Sequence, residues 1–445
     1  MLGFFLLGLA APFAVAEDGA NVTVDGIKFR PEYDYSVSQE FFSVSDSITA
    51  LSGMDIYQAE DFGAVADPTV NNRAAIQSAI DVAHAAGGGM VVLQSGTYGL
   101  AERPSTLPDS DGAIHLKDNV FLKGKGIGET VLRVVDGWNG LDEGVTLTGI
   151  IRSRWGEATK NYGIADLTLD GNRENTKGTV DCFYNGGKPG GTIADADVWI
   201  VRVEVRNCSG YGFDPHERNE RLTITDSISH HNGKDGFVAD YIIDGVYKNN
   251  IAYENDRHGF NIVTSTNDLL LSDNIARDNG KGGIVVQRGS FDIPLPHNVL
   301  IEGGEASRNG REGVLILMSS NVKINGVDVL ENGSYGVRIH GSSHVSVLNN
   351  QIINNSRSKD GGYAGIQIKD YKDVKNTNRT YFAENNTISG NVIEWSTGLS
   401  GKAEVQVSST LISLAGISGD SKSQGTRVAV HVALSVYVIF SFLSW

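Results

Sequence analysis

The chain has 445 residues, is 40% apolar and carries a formal net charge of −16. This acidic excess argues against nucleic acid as a partner, because phosphate binding requires a basic face. It does not exclude a polyanionic substrate, since a few Lys and Arg side chains in a cleft, or bridging divalent cations, can hold one. With two cysteines, the sequence has neither a disulfide scaffold nor a zinc or thiol-redox motif.

The N-terminal region predicts export. Segment 1–16 is apolar and ends in Ala14-Val15-Ala16, the small-residue pattern of a signal-peptide cleavage site, although no Lys or Arg precedes it. Residues 17–59 form a polar extension. Six Asn-x-Ser/Thr triplets are consistent with a secreted glycoprotein, at the cell wall or the outer face of the plasma membrane. Their asparagines are Asn21, Asn207, Asn332, Asn354, Asn378 and Asn385.

One segment has clear helical periodicity. Its apolar residues recur at i, i+3, i+4 and i+7, at Ile76, Ala79, Ile80 and Ala83. The pattern predicts an amphipathic helix over 73–86, with Asn72 as its N-cap and Gly87 after its last turn. From Met90 onward the chain consists of short β-type runs broken by Gly and Asn.

Those short runs repeat along the chain. Each repeat has an Asn, a Gly four residues later and an alternating strand-like run. The glycines lie at 212, 236, 259, 283, 313 and 336, a nearly constant step that is lengthened once, by an insert between 283 and 313. Two or three short strands in a repeat of this length are typical of a right-handed parallel β-helix, whereas a propeller blade needs about 40 residues. We therefore predict an all-β solenoid over 60–400, with the helix capping its first coil.

The repeat brings four ionisable side chains onto one surface. His216 and Asp240 each lie four residues after a repeat glycine, so they occupy the same position on successive coils. Asp214 is two residues from His216 on one strand and faces the same side, and Tyr211 lies at the preceding bend. The patch is extended by Arg257, His258 and Lys234. Solenoid faces also carry polar residues without a chemical role, but convergence through two independent periodicities favours a site.

Several stretches resemble the catalytic modules of mannuronan C-5 epimerases. They are "YGFDPHE", "DGFVADY", "NDRHGFNIVTST", "LTLDGNRENT" and "DFGAVAD". The likeness covers roughly residues 60–345. It implies a pectate-lyase-type β-helix that converts β-D-mannuronate to α-L-guluronate within alginate.

The resemblance also implies roles for individual residues. The implied catalytic group is Tyr211, Asp214, His216 and Asp240, and the implied substrate contacts are Arg257, His258, Asp181 and Lys234. Abstraction of H5 from a uronate forms an enolate, so the substrate carboxylate must first be neutralised. We interpret His216 as the base and Tyr211 as the proton donor. Asp214 and Asp240 form the carboxylate clamp, aided by Arg257. The order of His216 and Tyr211 stays open.

The chain departs from the family pattern in two places. Thr179 stands two residues before Asp181, where bacterial relatives often have Lys, and Lys177 is the nearest alternative cation. The calcium-binding nonapeptide array GGxGxDxUx does not occur in the sequence. The resemblance leaves a calcium requirement open, with no ligands assigned, and no organic cofactor is expected. We expect a monomer whose partner is alginate.

Other functions remain as alternatives. An alginate lyase uses the same proton abstraction and then expels O4, and a non-catalytic polysaccharide-binding β-helix needs no chemistry at all. A polygalacturonase would need paired aspartates and a Gly-His-Gly loop, whereas this chain has "RHG".

The two cysteines lie about one coil apart. The separation between Cys182 and Cys208 is close to the step between repeat glycines, so the repeat length predicts a disulfide between adjacent coils. Two buried thiols in the solenoid core are the alternative.

The C-terminal region predicts an anchor. A polar linker at 401–427 is followed by 428–445, an apolar segment without a formally charged side chain if His431 is neutral. A GPI-attachment signal, a membrane-spanning tail and a packed terminal cap are the three interpretations, with the first favoured.

Overall fold

The computed structural model describes residues 54–101, 112–144, 146–154, 156–187, 193–288 and 297–408. It also describes the backbone of three outlying strands, which are Val22–Val24, Ile27–Phe29 and Val428–Val430. The predicted signal peptide, most of the extension and linker, and the tail beyond residue 430 lie outside the described residues. Residues 428–430 pair in parallel with 405–407.

Parallel strands form three long sheets that wind around one interior. Sheet 1 comprises Ile114–His115, Leu147–Arg152, Val180–Asn185, Phe213–Pro215, Phe237–Asp240, Phe260–Val263, Ile284–Gln287, Val314–Leu317, Val337–His340, Ile366–Lys369, Val405–Ser408 and Val428–Val430. Sheet 2 comprises Ile56–Gln58, Gly89–Val92, Val120–Lys123, Lys160–Asp170, Asp195–Arg206, Asn219–Thr225, Ile242–Lys248, Asn267–Ser272, His297–Glu302, Ser320–Asn325, Ser343–Leu348 and Thr387–Ser389.

Sheet 3 completes each coil. It comprises Gly96–Leu100, Thr130–Val134, Ile228–His230, Ile251–Tyr253, Ile275–Arg277, Glu305–Ser307, Asp328–Leu330, Gln351–Ile353 and Val392–Glu394. The long strands at 160–170 and 195–206 run through sheets 2 and 3. Two antiparallel ribbons flank the coils, Val22–Val24 with Ile27–Phe29 and Tyr371–Lys372 with Thr380–Tyr381. The predicted parallel β-helix is therefore confirmed.

Helix α1, Arg73–Ala85, covers the first coil as predicted. Its buried residues are Ile76, Ala79, Ile80 and Ala83, and they belong to the main core. Asn72 occupies the predicted N-cap position, where its carbonyl accepts from the Ile76 N–H at 3.1 Å, but its side chain makes no capping hydrogen bond. Asn72 has helical backbone angles, and its Oδ1 accepts from the Val65 N–H at 2.7 Å while its Nδ2 donates to the Val70 carbonyl. Among the described residues, the other helical turns are Ala59–Phe62, Gly140–Glu143 and Arg173–Asn175.

A buried asparagine ladder explains the Asn-Gly repeat. Each Nδ2 donates to the Oδ1 of the next coil's asparagine at 2.9–3.0 Å. The members are Asn232, Asn255, Asn279, Asn309, Asn332 and Asn355. A Cβ on Gly259 would lie 2.9 Å from Asn279 Nδ2 and 2.8 Å from the Gly283 carbonyl oxygen, so this position requires glycine.

The ladder buries the asparagine of one of the six Asn-x-Ser/Thr triplets. Asn332 is 0% exposed and its amide is fully engaged between Asn309 and Asn355. It is a structural residue of the folded chain, although it starts an Asn-Gly-Ser triplet.

Alternation along sheet 1 separates core from cleft. Phe213, Phe237 and Phe260 point inward, and their rings stack with centroids 4.8 Å apart at each step. Residues two positions apart share a face, so 214, 216 and 240 point outward from this sheet. The outer face of sheet 1 therefore carries the predicted polar patch.

In the described part of the chain, no helix is long and apolar enough to cross a membrane.

Candidate active site

Stacking of two coils brings His216 against two carboxylates. His216 Nδ1 lies 3.2 Å from Asp240 Oδ2 and 3.7 Å from Asp214 Oδ1. The His216 side chain is 39% exposed, whereas the side chains of Asp214 and Asp240 are 5% and 15% exposed. The predicted neighbours are thus in contact. We call Tyr211, Asp214, His216 and Asp240 the acid–base cluster.

The electrostatics of the cluster favour a protonated imidazole. Burial opposes the charge on His216, but the carboxylates of Asp214, Asp240 and Glu217 outweigh it and raise its pKa to about 9. Burial also raises the pKa of Asp240, against the opposing effect of the His216 charge. In the free protein His216 is therefore an imidazolium at neutral pH.

Two cations flank the phenol of Tyr211. Lys234 Nζ lies 4.2 Å from the centre of the Tyr211 ring, and Arg257 Nη1 lies 3.4 Å from the phenol oxygen. Burial, and then the charge of Asp214, raise the pKa of Tyr211 to about 12. The phenol is therefore neutral at physiological pH and can donate its proton.

Asp181 lies directly beneath Tyr211. Its Oδ1 accepts a hydrogen bond from the Tyr211 backbone N–H at 2.8 Å. A Cβ on Gly210 would collide with this oxygen, so glycine is required before Tyr211. Burial and the charge of Asp214 raise the pKa of Asp181 well above its usual range. The Asp181 side chain can therefore be a carboxylic acid near neutral pH.

Lys234 is a cation that favours the charged form of Asp181. Lys177, which the sequence offered as a replacement for the family's lysine, forms a backbone bridge with Asn139. Thr179 uses its carbonyl to accept from the Leu147 N–H.

Asp235 anchors the next coil, and sequence reasoning missed it. Its fully buried side chain lies 3.3 Å from Arg257 Nε, and its Oδ1 accepts from the His258 N–H at 3.0 Å. Asp235 immediately precedes a repeat glycine, as Tyr211 does, and this shared position was the available signal. His258 Nδ1 accepts from the Gly282 N–H at 3.1 Å, and burial lowers the pKa of His258. The Arg257 side chain thus contacts the Tyr211 phenol, while the His258 ring is bonded to the backbone of the next coil.

Tyr184 and Arg152 also support the cluster without having been predicted. The Tyr184 ring centre is 5.6 Å from that of His216, and the Arg152 guanidinium lies 4.4 Å over the Tyr184 ring. Burial raises the pKa of Tyr184, so it is a neutral wall of the site. Tyr184 pairs with Asp214 across adjacent strands, which its sequence position alone does not reveal.

The predicted disulfide is confirmed and lies next to this group. Cys182 and Cys208 are bonded, with Cα atoms 5.8 Å apart. The Cys182 N–H donates to the Tyr211 carbonyl at 3.0 Å, so the bridge ties together the two coils that carry Asp181 and Tyr211.

Comparison with known proteins identifies the family to which this fold belongs. The family described as "Right handed beta helix region" matches residues 182–298 and 291–412. The structure of the mannuronan C-5 epimerase AlgE6 A-module of Azotobacter vinelandii aligns with a TM-score of 0.77 and 45% identity, covering 84% of this chain and 96% of that one. The chain belongs to the family of the mannuronan C-5 epimerase A-modules. The corresponding AlgE4 A-module gives a TM-score of 0.74 at 44% identity, covering 85% of this chain and all of that one.

Longer curated relatives of the A-module family carry different names. "Mannuronan C5-epimerase AlgE5" of Azotobacter vinelandii is 52% identical over 340 residues, which are 76% of this chain and 33% of the relative. "Alginate lyase 7" of the same organism is 53% identical over 338 residues, 76% of this chain and 38% of the relative. The chain thus spans about a third of the length of these relatives.

The described residues do not supply a metal centre. No group of three or more His, Cys, Asp or Glu side chains within them is arranged to hold a metal ion. The calcium requirement that the family resemblance leaves open therefore has no candidate ligands among the described residues.

Proposed function

We propose that the chain converts β-D-mannuronate residues of polymannuronate to α-L-guluronate by inverting the configuration at C5. The observation that carries this proposal is the placement of His216 3.2 Å from Asp240, with the phenol of Tyr211 near enough for the charge of Asp214 to raise its pKa. Membership of the A-module family supports the choice of a uronate polymer as substrate.

Neutralisation of the substrate carboxylate is the first requirement. Negative charge builds up on this carboxylate as H5 leaves, and donors aimed at it stabilise the transition state. Asp181 and Asp240 have raised pKa values, so both can donate as carboxylic acids, while Arg257 supplies a fixed positive charge. Asp181 thus takes the place in the clamp that the sequence assigned to Asp214, whose Oδ1 instead lies 3.7 Å from His216 Nδ1. An approaching uronate raises both aspartate pKa values further, because like charges disfavour ionisation.

This neutralisation also converts His216 into a base. The imidazolium is held by neighbouring carboxylates. Transfer of the His216 Nδ1 proton to Asp240, over 3.2 Å, leaves a neutral imidazole and a carboxylic acid. No proton is gained or lost overall. The neutral His216 then accepts H5, and the C–H electron pair enters the enolate.

Reprotonation from the opposite face completes the inversion. The neutral phenol of Tyr211 gives its proton to C5, and the resulting phenolate is stabilised by Arg257 at 3.4 Å and by Lys234 over the ring. After product release the proton held by Asp240 passes back to His216 and the H5-derived proton of His216 passes to the Tyr211 phenolate, which restores the imidazolium, the carboxylate and the phenol. The reverse order, with Tyr211 as base, requires a phenolate at the outset, which a pKa of about 12 disfavours.

Product analysis of two variants tests the assignment. His216→Ala and Tyr211→Phe should each lose about 10²- to 10⁴-fold in turnover, because each removes a proton-transfer group. Deuterium incorporation at C5 of polymannuronate reports the reaction, and circular dichroism checks the fold. If both variants kept more than about a tenth of wild-type turnover, the assignment would be wrong.

A lyase is the second candidate, because the 53%-identical relative is named an alginate lyase. Its chemistry shares the neutralisation and the abstraction of H5 and then breaks the bond to O4. Proton NMR of treated polymannuronate separates the outcomes. Guluronate signals indicate epimerisation, unsaturated ends indicate elimination, and an unchanged polymer indicates a binding protein.

We further propose that the enzyme acts outside the cell as a monomer. The Cys182–Cys208 disulfide supports an oxidising compartment. Attachment through the 428–445 segment, with a GPI signal as the favoured form, is the proposed link to the membrane or wall. In a eukaryotic host, phosphatidylinositol-specific phospholipase C should release activity from membranes, and recovery of Trp445 in the mature protein would exclude the GPI form.

A further inference from the structure

Sheet 1 carries a second Tyr-His pair five coils beyond the acid–base cluster. Tyr335 precedes a repeat glycine as Tyr211 does, and His340 follows that glycine by four residues as His216 does. Backbone hydrogen bonds link the intervening coils one by one. They run from Gly212 to Asp235, Gly236 to His258, Gly259 to Gly282, Gly283 to Glu312 and Gly313 to Tyr335. At about 4.8 Å per coil, the two pairs are separated by about 24 Å along the same face.

The two carboxylates of the cluster are replaced by cations in this second group. Arg338 stands at the position of Asp214, two residues before the histidine. Lys369 stands at the position of Asp240, and it pairs with His340 across adjacent strands. The second group therefore keeps the tyrosine and histidine but reverses the charge around them.

Contacts hold the second group in a fixed geometry. Arg338 Nη1 donates to Glu312 Oε1 at 3.1 Å, and its Nε donates to Gln367 Oε1 at 2.9 Å. Gln367 in turn donates to the Tyr335 hydroxyl at 2.8 Å, and the Arg338 guanidinium lies 5.1 Å over the Tyr335 ring. Tyr363 packs edge-on against Tyr335, with centroids 5.0 Å apart. Binding to such a group incurs little ordering cost.

Two side chains next to His340 carry positive charge, whereas those next to His216 carry negative charge. Burial, and then the charges of Arg338 and Lys369, lower the pKa of His340 to about 4. The ring is therefore neutral where His216 is charged, and it packs edge-on against Tyr371 at 4.8 Å. The group offers positive charge and half-buried aromatic surface. Two carboxylates lie beside it: Glu312 is paired with Arg338, and Asp370, whose charge favours the protonated form of His340, accepts from the Ala383 N–H at 2.9 Å.

We propose that Tyr335, Arg338, Tyr363 and Lys369 form a non-catalytic subsite that binds the carboxylate and ring of a uronate residue distant from the reacting one. The identity of the polymer rests on the function proposed above. The subsite lies on the same sheet face as the acid–base cluster, so one polymer chain can occupy both. It anchors the chain without moving a proton, because the proton-exchanging carboxylates are absent from its two outward positions.

Two variants test the subsite. Lys369→Glu reverses an exposed charge, and the double variant Glu312→Gln/Arg338→Gln removes the second cation without leaving a buried unpaired carboxylate. Lys248→Glu is the matched control, because Lys248 lies on sheet 2 between Thr225 and Ser272. Three quantities are measured at one fixed ionic strength. They are kcat and KM on polymannuronate, the Kd of polymannuronate by calorimetry, and the Ki of trimannuronate, which is too short to span five coils.

We expect KM and Kd for polymannuronate to rise about five- to tenfold in both test variants, with kcat and the trimannuronate Ki unchanged. Lys248→Glu should stay within about twofold of wild type throughout. Equal behaviour of Lys369→Glu and Lys248→Glu would overturn the subsite, as would a parallel rise in the trimannuronate Ki. A chain that made no guluronate but bound polymannuronate through Lys369 would keep the subsite and refute the epimerase function. A chain that did not bind polymannuronate at all would refute both.

Discussion

Replacement of Asp240 by Asn tests how the protein controls the proton on His216. The change removes one negative charge, 3.2 Å from His216 Nδ1, and keeps the size of the side chain. The wild-type pKa of His216 is raised to about 9 from 6.5, against burial, by Asp214, Asp240 and Glu217. Two unit charges 3.2 Å apart interact by about 1.3 kcal/mol in a water-like dielectric, which corresponds to a pKa change of about 1, so Asp240→Asn should lower the pKa of His216 to about 8.

The sign of the effect on activity follows from the proton count. The active state holds one proton between His216 and the carboxyl group that faces it. That proton is lost above the pKa of His216 in the free protein, so kcat/KM falls at high pH. Asp240→Asn should therefore move the alkaline limb of the profile downward from about 9 to about 8. Turnover should also drop, but less than in Asp240→Ala, because the amide can still donate to the substrate carboxylate.

Imidazole NMR and kinetics measure the two effects separately. A ¹⁵N NMR titration of His216 gives its pKa. The rate of guluronate formation, measured across pH, gives the alkaline limb of the kcat/KM profile. Asp226→Asn is the control, because this exposed aspartate lies at the corner between sheets 2 and 3. A change in the His216 pKa of less than about 0.3 would show that Asp240 does not hold this proton. Equal turnover of the Asn and Ala variants would contradict the donor role of Asp240.

Further predictions concern the fold around the site. Asn255→Ala should destabilise the protein by about 2–5 kcal/mol in urea unfolding, because it leaves the buried Asn232 N–H and Ser229 carbonyl without side-chain partners. The control Gln351→Ala, at an exposed strand position, should cost less than about 0.5 kcal/mol. A loss below about 1 kcal/mol for Asn255→Ala would show that the ladder is dispensable. Thiol titration of denatured, unreduced protein should find no free thiol, and two would contradict the disulfide. Expressed in a glycosylating host, the chain should carry glycan at exposed Asn378 and none at buried Asn332; a modified Asn332 in folded protein would contradict the ladder.

The repeat length made much of this architecture predictable. The nearly constant step between repeat glycines stacks each residue on its counterpart in the next coil. Contacts between residues of adjacent coils can therefore be predicted from their spacing in the sequence. That is why the His216–Asp240 contact and the Cys182–Cys208 bridge could be expected from spacing. The same counting worked for the strands, because the asparagine ladder enforces the register that the Asn-Gly motif marks.

Other features depend on where side chains turn after the backbone is placed. Asn72 stands before a helix, yet a competing N–H from Val65 takes its side chain away from the helix end. Tyr184 belongs to the site only because of distances between coils, and it has no distinctive local motif. Asp235 shares with Tyr211 the position before a repeat glycine, but that position alone does not show that its side chain reaches Arg257. The raised pKa of His216 also could not be predicted from residue spacing, because it depends on burial and on three carboxylates together.

The constancy of the backbone gives the side chains of sheet 1 their functional freedom. Tyr211 and Tyr335 occupy equivalent positions, as do His216 and His340, so geometry alone does not distinguish the two groups. The difference lies in the outward neighbours, which are carboxylates at 214 and 240 and cations at 338 and 369. Carboxylates raise the pKa of one histidine to about 9, and cations contribute to lowering that of the other to about 4. A solenoid can therefore place proton transfer and passive binding on one polymer track by changing two side chains per coil pair, with no change of fold.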